Sequence, residues 1–279
     1  MARHIVCLTF DFDSFSGFIS RKQVTPTPIS RGEFGVVGTG RLLELLAARG
    51  LKATWFTPGF TIETYPEAAE RIVAAGHEIG HHGWTHVPPA RFSPDEEKAD
   101  LERGIETIRR LTGGKPRGYR SPSWDLSANT LDLLLANGFD YDSSMMGDDY
   151  TPYFARRGDI ITQQEPAVFG RPSRIVEMPI SWSLDDYPHF EYVRTAEYVQ
   201  QASLPTEAVL QNWVDDFTYM TRIMDWGILT YTFHPFVIGR GHRMMMLERL
   251  IDTVAAGGAE IMTMAEAVDA FLARAERPA

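Results

Sequence analysis

The chain has 279 residues, of which 44% are hydrophobic and 23% are charged, a composition typical of one large or two small globular domains. Its formal net charge of −10 argues against nucleic acid or an anionic membrane surface as the main partner. Cys7 is the single cysteine, so an intrachain disulfide is excluded. The sequence has neither an uninterrupted apolar run of about 18 residues nor a signal-peptide pattern, and we therefore expect a cytoplasmic protein.

Strand-like apolar runs alternate with helical patterns throughout the chain, which predicts a parallel sheet with helices packed outside it. In chain order the predicted elements are strand Ile5–Asp11, helix Arg41–Arg49, strand Ala53–Thr57, helix Pro66–Ala75, a short strand through Glu78 and Ile79, helix Pro94–Leu111, strand Arg117–Arg120, a helix capped by Ser127 and ending at Leu135, strand Phe139–Asp142, strand Ile175–Ser181, helix Glu207–Met224, strand Ile228–Phe233, helix Met244–Ala255, strand Ile261–Met264 and a helix ending at Ala275. Ser93 and Glu96 form a capping-box pattern at the start of one of these helices.

The number of strand–helix units indicates a barrel. Seven or eight such units in a chain of this length fit a distorted (β/α)7-8 barrel better than an open sheet. We expect a single α/β domain over residues 1–279. Residues from about 144 to 173 show weak periodicity and several Gly and Pro, and long loops without regular structure are uncommon and often functional. We interpret this segment as an insertion or lid.

Ionisable side chains follow several of the predicted strands. In a barrel of this kind the active site is built at the carboxyl ends of the strands, so side chains that follow different strands are expected to meet at one rim. The candidates are Asp11 and Asp13 after the first strand, His81, His82 and His86 after the third, Arg120 in R-S-P-S-W, and His234 in T-F-H-P.

The histidine-rich segment G-H-E-I-G-H-H-G-W-T-H carries two imidazoles four residues apart, His82 and His86. On one helical turn these side chains share a face, and both can reach one ion. A carboxylate from the D-F-D segment would complete a set of ligands that suits Zn²⁺ and leaves a position open for water. The alternative is that both histidines cap a helix or bond to the backbone.

The motifs T-F-D-F-D, G-H-E-I-G-H-H-G-W-T-H, R-S-P-S-W and T-F-H-P occur in this order between Thr9 and Pro235. Together they resemble the motifs of the polysaccharide deacetylase family, the carbohydrate esterase 4-like proteins with a NodB homology domain. The D-x-D spacing is typical of a cytoplasmic branch that includes peptidoglycan-deacetylase-like proteins and cyclic imide hydrolases.

The resemblance implies a ligand set and a set of catalytic roles. It implies one divalent cation held by Asp13, His82 and His86, with Zn²⁺ favoured and Co²⁺, Ni²⁺ and Fe²⁺ left open. The implied catalytic residues are the base Asp11, the base-holding arginine Arg120, the general acid His234 and Ser123, whose backbone N–H would stabilise the oxyanion. The family's aspartate–tryptophan motif falls on Asp185 or Asp186, with Trp182 or Tyr187 as its aromatic residue, and the sequence does not choose between them.

The resemblance implies a metal-dependent hydrolase of non-peptide carbon–nitrogen bonds, with two candidate substrate classes. One is an N-acetylated sugar or glycan. The other is a small amide, cyclic imide or ureide, which the resemblance to the D-x-D branch and the expected lid favour. The missing signal-peptide pattern weakens the glycan alternative, because cell-wall polymers lie outside the cytoplasm. A non-catalytic binding module on the same barrel is the alternative from another class, although all of the implied metal ligands are present. Relatives in the D-x-D branch also make a homo-oligomer, a dimer or a tetramer, an expectation.

Overall fold

Strands and helices alternate in the computed structural model, which describes residues 4–191, 193–194, 199–200, 204–276 and 278. The strands are β1 (His4–Asp11), β2 (Thr54–Thr57), β3 (Glu78–His81), β4 (Gly118–Tyr119), β5 (Tyr141–Asp142), β6 (Tyr153–Arg157), β7 (Arg171–Glu177), β8 (Val193–Arg194), β9 (Val199–Gln200), β10 (Gly227–Phe233) and β11 (Glu260–Ile261). The helices are α1 (Ser16–Ser20), α2 (Pro26–Ala48), α3 (Gly59–Thr64), α4 (Pro66–Ala74), α5 (Pro94–Thr112), α6 (Thr130–Asn137), α7 (Asp186–Phe190), α8 (Thr206–Ile223), α9 (Pro235–Ile238), α10 (Gly241–Ala256) and α11 (Met264–Leu272).

Nine strands of the described chain form one curled sheet in the order β10–β1–β2–β3–β4–β5–β7–β6, and β11 also pairs with β1. The strands pair in parallel except for β6 and β7, which are antiparallel. The parallel strands bring their carboxyl ends to one edge of the sheet. The predicted α/β class and distorted barrel are confirmed.

The middle of the sheet is apolar on both faces, as expected for parallel strands covered by helices. All seven residues of β10 are buried, and so are all residues of β1 after His4. The Phe10 ring lies 4.6 Å from the ring of Trp55 and 5.5 Å from that of Phe233, centroid to centroid. This packing holds the ends of β1, β2 and β10 in a fixed relation, and ionisable residues follow two of these ends.

Helix α2 packs at very close range against the first residue of α9, just after β10. A Cβ atom at Gly38 would overlap the carbonyl oxygen of Pro235, so glycine is required there for the two backbones to touch. Pro235 directly follows His234. The contact therefore fixes the backbone that carries one of the candidate site residues.

Helix boundaries differ from the predictions where small residues interrupt the apolar pattern. We predicted a helix from Arg41, but α2 begins at Pro26, because its first half packs through glycines and not through large apolar side chains. The capping box at Ser93 and Glu96 is confirmed. The short helices α1, α3 and α7 were not predicted, since five or six residues are too few to show a helical period.

Residues 144–173 contain β6 and the first residues of β7, which form an antiparallel hairpin with a bridge between Ile160 and Val168. The strand pattern is weak in the sequence because the register shifts between Phe154 and Arg156. A lid role for this segment stays a prediction. In the described part of the chain, no helix is both long and apolar enough to cross a membrane.

Candidate metal centre and active site

Three buried side chains converge beyond the carboxyl ends of β1 and β3. Asp13 Oδ1 lies 3.4 Å from His82 Nε2, and Asp13 Oδ2 lies 3.2 Å from His86 Nε2. One ligand atom from each of the three residues lies within 4.8 Å of the others. Phe12 points into the core between Asp11 and Asp13, so the alternation of an extended chain directs both carboxylates to the same side.

The two histidines meet through a loop and not through a helical turn, so that part of the prediction was wrong. His82 and His86 lie on irregular chain after β3, with their ring centroids 4.9 Å apart. Gly83 and His86 adopt positive φ values of 67° and 57°, which no helical turn contains. The spacing identified two side chains that the structure does bring together, but two residues in the left-handed backbone conformation achieve this.

Hydrogen bonds fix the orientation of His82. Its Nδ1–H donates to the Arg120 carbonyl at 2.8 Å, which leaves the Nε2 lone pair facing Asp13. Burial lowers the pKa of His82 and favours the neutral imidazole. Burial opposes ionisation of Asp13, but His86 and His82 outweigh it and bring the Asp13 pKa below its usual value.

The donor set fits a divalent cation. Asp13 Oδ1 and His82 Nε2 are buried, and neither has a hydrogen-bond partner among the described residues. Unpartnered buried polar atoms are costly, and a bound ion would satisfy both. One carboxylate and two imidazoles are donors that Zn²⁺ and neighbouring divalent metals accept.

His81 points away from this centre. Its Nδ1 accepts the Gly83 N–H at 3.1 Å, and its Nε2–H donates to the Leu101 carbonyl in α5 at 3.0 Å. Burial lowers the pKa of His81 to about 3, so the ring stays neutral. The side chain ties the loop after β3 to α5.

Arg120 and Asp11 form a buried ion pair behind the triad. Arg120 Nη1 donates to Asp11 Oδ1 at 2.7 Å and to Thr9 Oγ1 at 2.8 Å, while its Nε and Nη2 donate to Ser143. The guanidinium also lies 4.2 Å from the Phe56 ring centroid. Asp11 Oδ2 lies 3.8 Å from His82 Nε2, which places this carboxylate beside the candidate metal ligands.

His234 reaches the same space from the end of β10. Its Nδ1 lies 2.8 Å from Asp186 Oδ1 and 3.5 Å from Asp185 Oδ1, and its Nε2 lies 3.8 Å from Asp13 Oδ2. Burial disfavours the imidazolium, but Asp185 and Asp186 outweigh it and raise the pKa of His234 to about 10. Of the two candidates for the aspartate of the aspartate–tryptophan motif, Asp186 bonds to the His234 ring and Asp185 caps α7.

A pocket of about 110 Å³ opens over these groups. The Trp124 and Trp182 rings stack in its wall, with centroids 4.1 Å apart. Ser123 lines the pocket from a loop in which its own φ is 57°. The structure therefore brings the site residues predicted from the sequence together. Arg120 does not line the pocket itself but lies behind Asp11. The lining residues that sequence reasoning missed are Ser14, Gly17, Phe18, Arg21, Trp124 and Phe236.

Comparisons with known proteins agree with this architecture. The polysaccharide deacetylase family profile matches residues 2–141. The peptidoglycan deacetylase of Helicobacter pylori is 36% identical over 99% of each chain. The crystal structure of a candidate polysaccharide deacetylase from Mycobacterium smegmatis matches with a TM-score of 0.87 and 29% identity, covering 100% of this chain and 94% of that one.

PuuE allantoinase matches with a TM-score of 0.77 and 20% identity, covering 98% of this chain and 91% of that one, a likeness that shows the shared fold alone. The family profile and the Helicobacter relative show family membership, because the profile spans half of the chain and the relative nearly all of it. The chain belongs to the polysaccharide deacetylase family and is a hydrolase of carbon–nitrogen bonds other than peptide bonds.

Proposed function

We propose that the protein is a metal-dependent amide hydrolase that uses one divalent cation held by Asp13, His82 and His86. The observation that carries the proposal is the buried set of one carboxylate and two imidazoles, two of whose atoms lack a hydrogen-bond partner among the described residues. Zn²⁺ suits three such donors with a fourth position open, and Co²⁺, Ni²⁺ and Fe²⁺ accept the same donors.

The residues around this set have complementary roles in the proposed reaction. A divalent cation held by these three residues would polarise an amide carbonyl and lower the pKa of a nearby water molecule. Asp11 takes a proton from the attacking water as general base. Arg120 keeps the Asp11 carboxylate directed at the site through the 2.7 Å hydrogen bond.

His234 and Ser123 would deliver the proton and stabilise the developing charge. His234 donates a proton to the leaving nitrogen, and its bond to Asp186 keeps the ring protonated and oriented. Ser123 lines the pocket on an exposed turn, and its backbone N–H would donate to the developing oxyanion.

The shape of the pocket favours a small substrate. On the same measure a water molecule needs about 10 to 15 Å³, so a pocket of about 110 Å³ holds a small amide, cyclic imide or ureide. The aromatic rings of Phe18, Trp124, Trp182, Tyr187 and Phe236 line its walls. The second candidate is an N-acetylated sugar, supported by the similarity to a peptidoglycan deacetylase. Cytoplasmic location, homo-oligomer formation and the absence of nucleic-acid or membrane partners stay predictions.

The test is metal-dependent turnover of a substrate panel. Succinimide, hydantoin, allantoin and N-acetylglucosamine oligomers are each incubated with the Zn²⁺-loaded protein and with the chelator-treated protein. Turnover that chelator abolishes and Zn²⁺ restores supports the proposal, and the hydrolysed compound identifies the class. Asp11→Asn should lower kcat by about 10² to 10⁴-fold with the metal retained, while the exposed Asp252→Asn control keeps full activity. Equal turnover with and without metal would refute the metal-dependent mechanism.

A further inference from the structure

A second cationic group faces the pocket. Arg21 directly follows α1 and lines the pocket with Gly17 and Phe18. The guanidinium carbon lies 5.3 Å from the Phe18 ring centroid, and Nη2 donates a long hydrogen bond of 3.5 Å to Tyr187 Oη. Position and charge make this side chain available to a bound ligand.

Unlike Arg31 and Arg120, Arg21 has no anionic partner among the residues that the structure describes. Arg31 pairs with Glu191, and Arg120 pairs with Asp11. Among the residues that the structure describes, no carboxylate oxygen lies within 4.0 Å of the Arg21 guanidinium. Arg21 Nε is also buried with no hydrogen-bond partner. A buried guanidinium N–H without a hydrogen-bond acceptor is unfavourable. A bound ligand could supply that acceptor.

The Arg21 guanidinium lies close to the metal-ligand set. A Cβ atom at Gly17 would lie 3.5 Å from His86 Nδ1 and 3.8 Å from Arg21 Nη2. Because residue 17 has no side chain, nothing from that position separates the guanidinium from His86. A small ligand can therefore place its scissile amide at the Asp13, His82 and His86 set and a second polar group at Arg21.

We propose that Arg21 binds a carboxylate of the substrate, so that the enzyme selects small amides that carry a carboxylate near the scissile bond. This inference rests on the proposed amide hydrolase function and adds its substrate class. The planar fork of a guanidinium matches the two oxygens of a carboxylate. Such a pair in a pocket with apolar walls is stronger than one in water. Phe18 supports the guanidinium through its ring face.

The experiment compares ligands with and without a carboxylate. Succinamate and succinamide form one matched pair. N-acetylmuramic acid and N-acetylglucosamine form another, which differs in the lactyl ether group that carries the carboxylate. Affinities are measured by calorimetry on Zn²⁺-loaded protein in the Asp11→Asn background, in which turnover is expected to be slow, and kcat/KM is measured in parallel with Asp11 intact. We expect the carboxylated member of at least one pair to be favoured by about tenfold or more, a difference of about 1.4 kcal/mol.

The variants separate Arg21 from general electrostatics. Arg21→Met should bring the preference to about one, Arg21→Glu should reverse it, and Arg21→Lys should retain part of it because a point charge lacks the fork. Arg171→Met, in the exposed start of β7, is the matched control and should keep the wild-type ratio. An unchanged ratio in Arg21→Met would overturn the proposal. If the wild-type protein binds no zinc or turns over none of these compounds, the proposed hydrolase function is refuted. The ratio of ligand affinities, with and without the carboxylate, still tests Arg21 in that case.

Discussion

The Arg120 guanidinium donates a 2.7 Å hydrogen bond to Asp11 Oδ1 and thereby joins the residue after β4 to the last residue of β1. Both side chains are buried. The backbone carbonyl of Arg120 also accepts the Nδ1–H of His82. One residue therefore positions the proposed base through its side chain and a proposed metal ligand through its main chain.

Arg120→Met should destabilise the protein strongly. The variant leaves the Asp11 carboxylate buried without its cation, a change that typically costs about 3 to 5 kcal/mol. Arg117→Met is the matched control three residues earlier. Arg117 pairs with Asp140 and Asp269 at the surface, where such pairs contribute about 0 to 1 kcal/mol. Urea unfolding of both variants measures the difference, and equal losses of stability would contradict the assigned burial of the Arg120–Asp11 pair.

His82→Ala should abolish metal binding. It removes one of three buried donors, and the remaining pair lacks the coordination number of a tight site. The measurements are metal content by elemental analysis and the rise in Tm on adding Zn²⁺, which is expected in the wild type because a bound ion stabilises the folded state. His242→Ala is the control, since His242 is exposed in α10. A zinc-dependent rise in Tm that persists in His82→Ala would show that the ion binds elsewhere.

The sequence predicted the site better than it predicted the local backbone. β1 and β10 could be identified because both faces are buried, and the polar residues after them stand out against these apolar runs. The pairing of His82 with His86 was predicted from spacing, whereas the loop that achieves it depends on left-handed residues with no distinctive pattern. Arg21 was missed because its role follows from the absence of a nearby carboxylate, which only the folded chain reveals.

Asp186→Asn should move the alkaline limit of activity to lower pH. The imidazolium of His234 is stabilised by Asp185 and Asp186 against the cost of burial, and its pKa is about 10. Removing one neighbouring charge lowers that pKa, typically by about 1 to 3 units, so the proposed acid loses its proton at lower pH. The pH dependence of kcat/KM on metal-loaded enzyme measures this shift. Asp159→Asn, a surface change at a side chain paired with Arg156, should leave the profile unchanged. An alkaline limb that stays in place in Asp186→Asn would remove His234 from the acid role.

Asp142 and Glu177 form a buried pair of carboxyl groups that the proposed reaction does not use. Asp142 and Glu177 are register partners at the ends of β5 and β7, and both are fully buried. Glu177 Oε1 accepts the backbone N–H groups of Ser144 at 3.0 Å and Met145 at 2.8 Å. Burial raises the pKa of Glu177 well above its usual value, and the neighbouring Asp142 raises it further. The folded protein therefore retains a proton here that the unfolded chain releases.

A group whose pKa is raised by folding stabilises the native state fully below its unfolded pKa, and the contribution is lost as pH rises through the folded pKa. For each such proton the free energy of unfolding falls by about 1.4 kcal/mol per pH unit within that window. Glu177→Gln removes this titration while its amide oxygen can still accept the two backbone N–H groups. The free energy of unfolding of Glu177→Gln should consequently fall less steeply than that of the wild type from about pH 5 upward, and denaturant unfolding across that range measures both slopes. The exposed Glu165→Gln control should follow the wild-type curve, and parallel curves for Glu177→Gln and the wild type would mean that the pair is ionised in the folded protein.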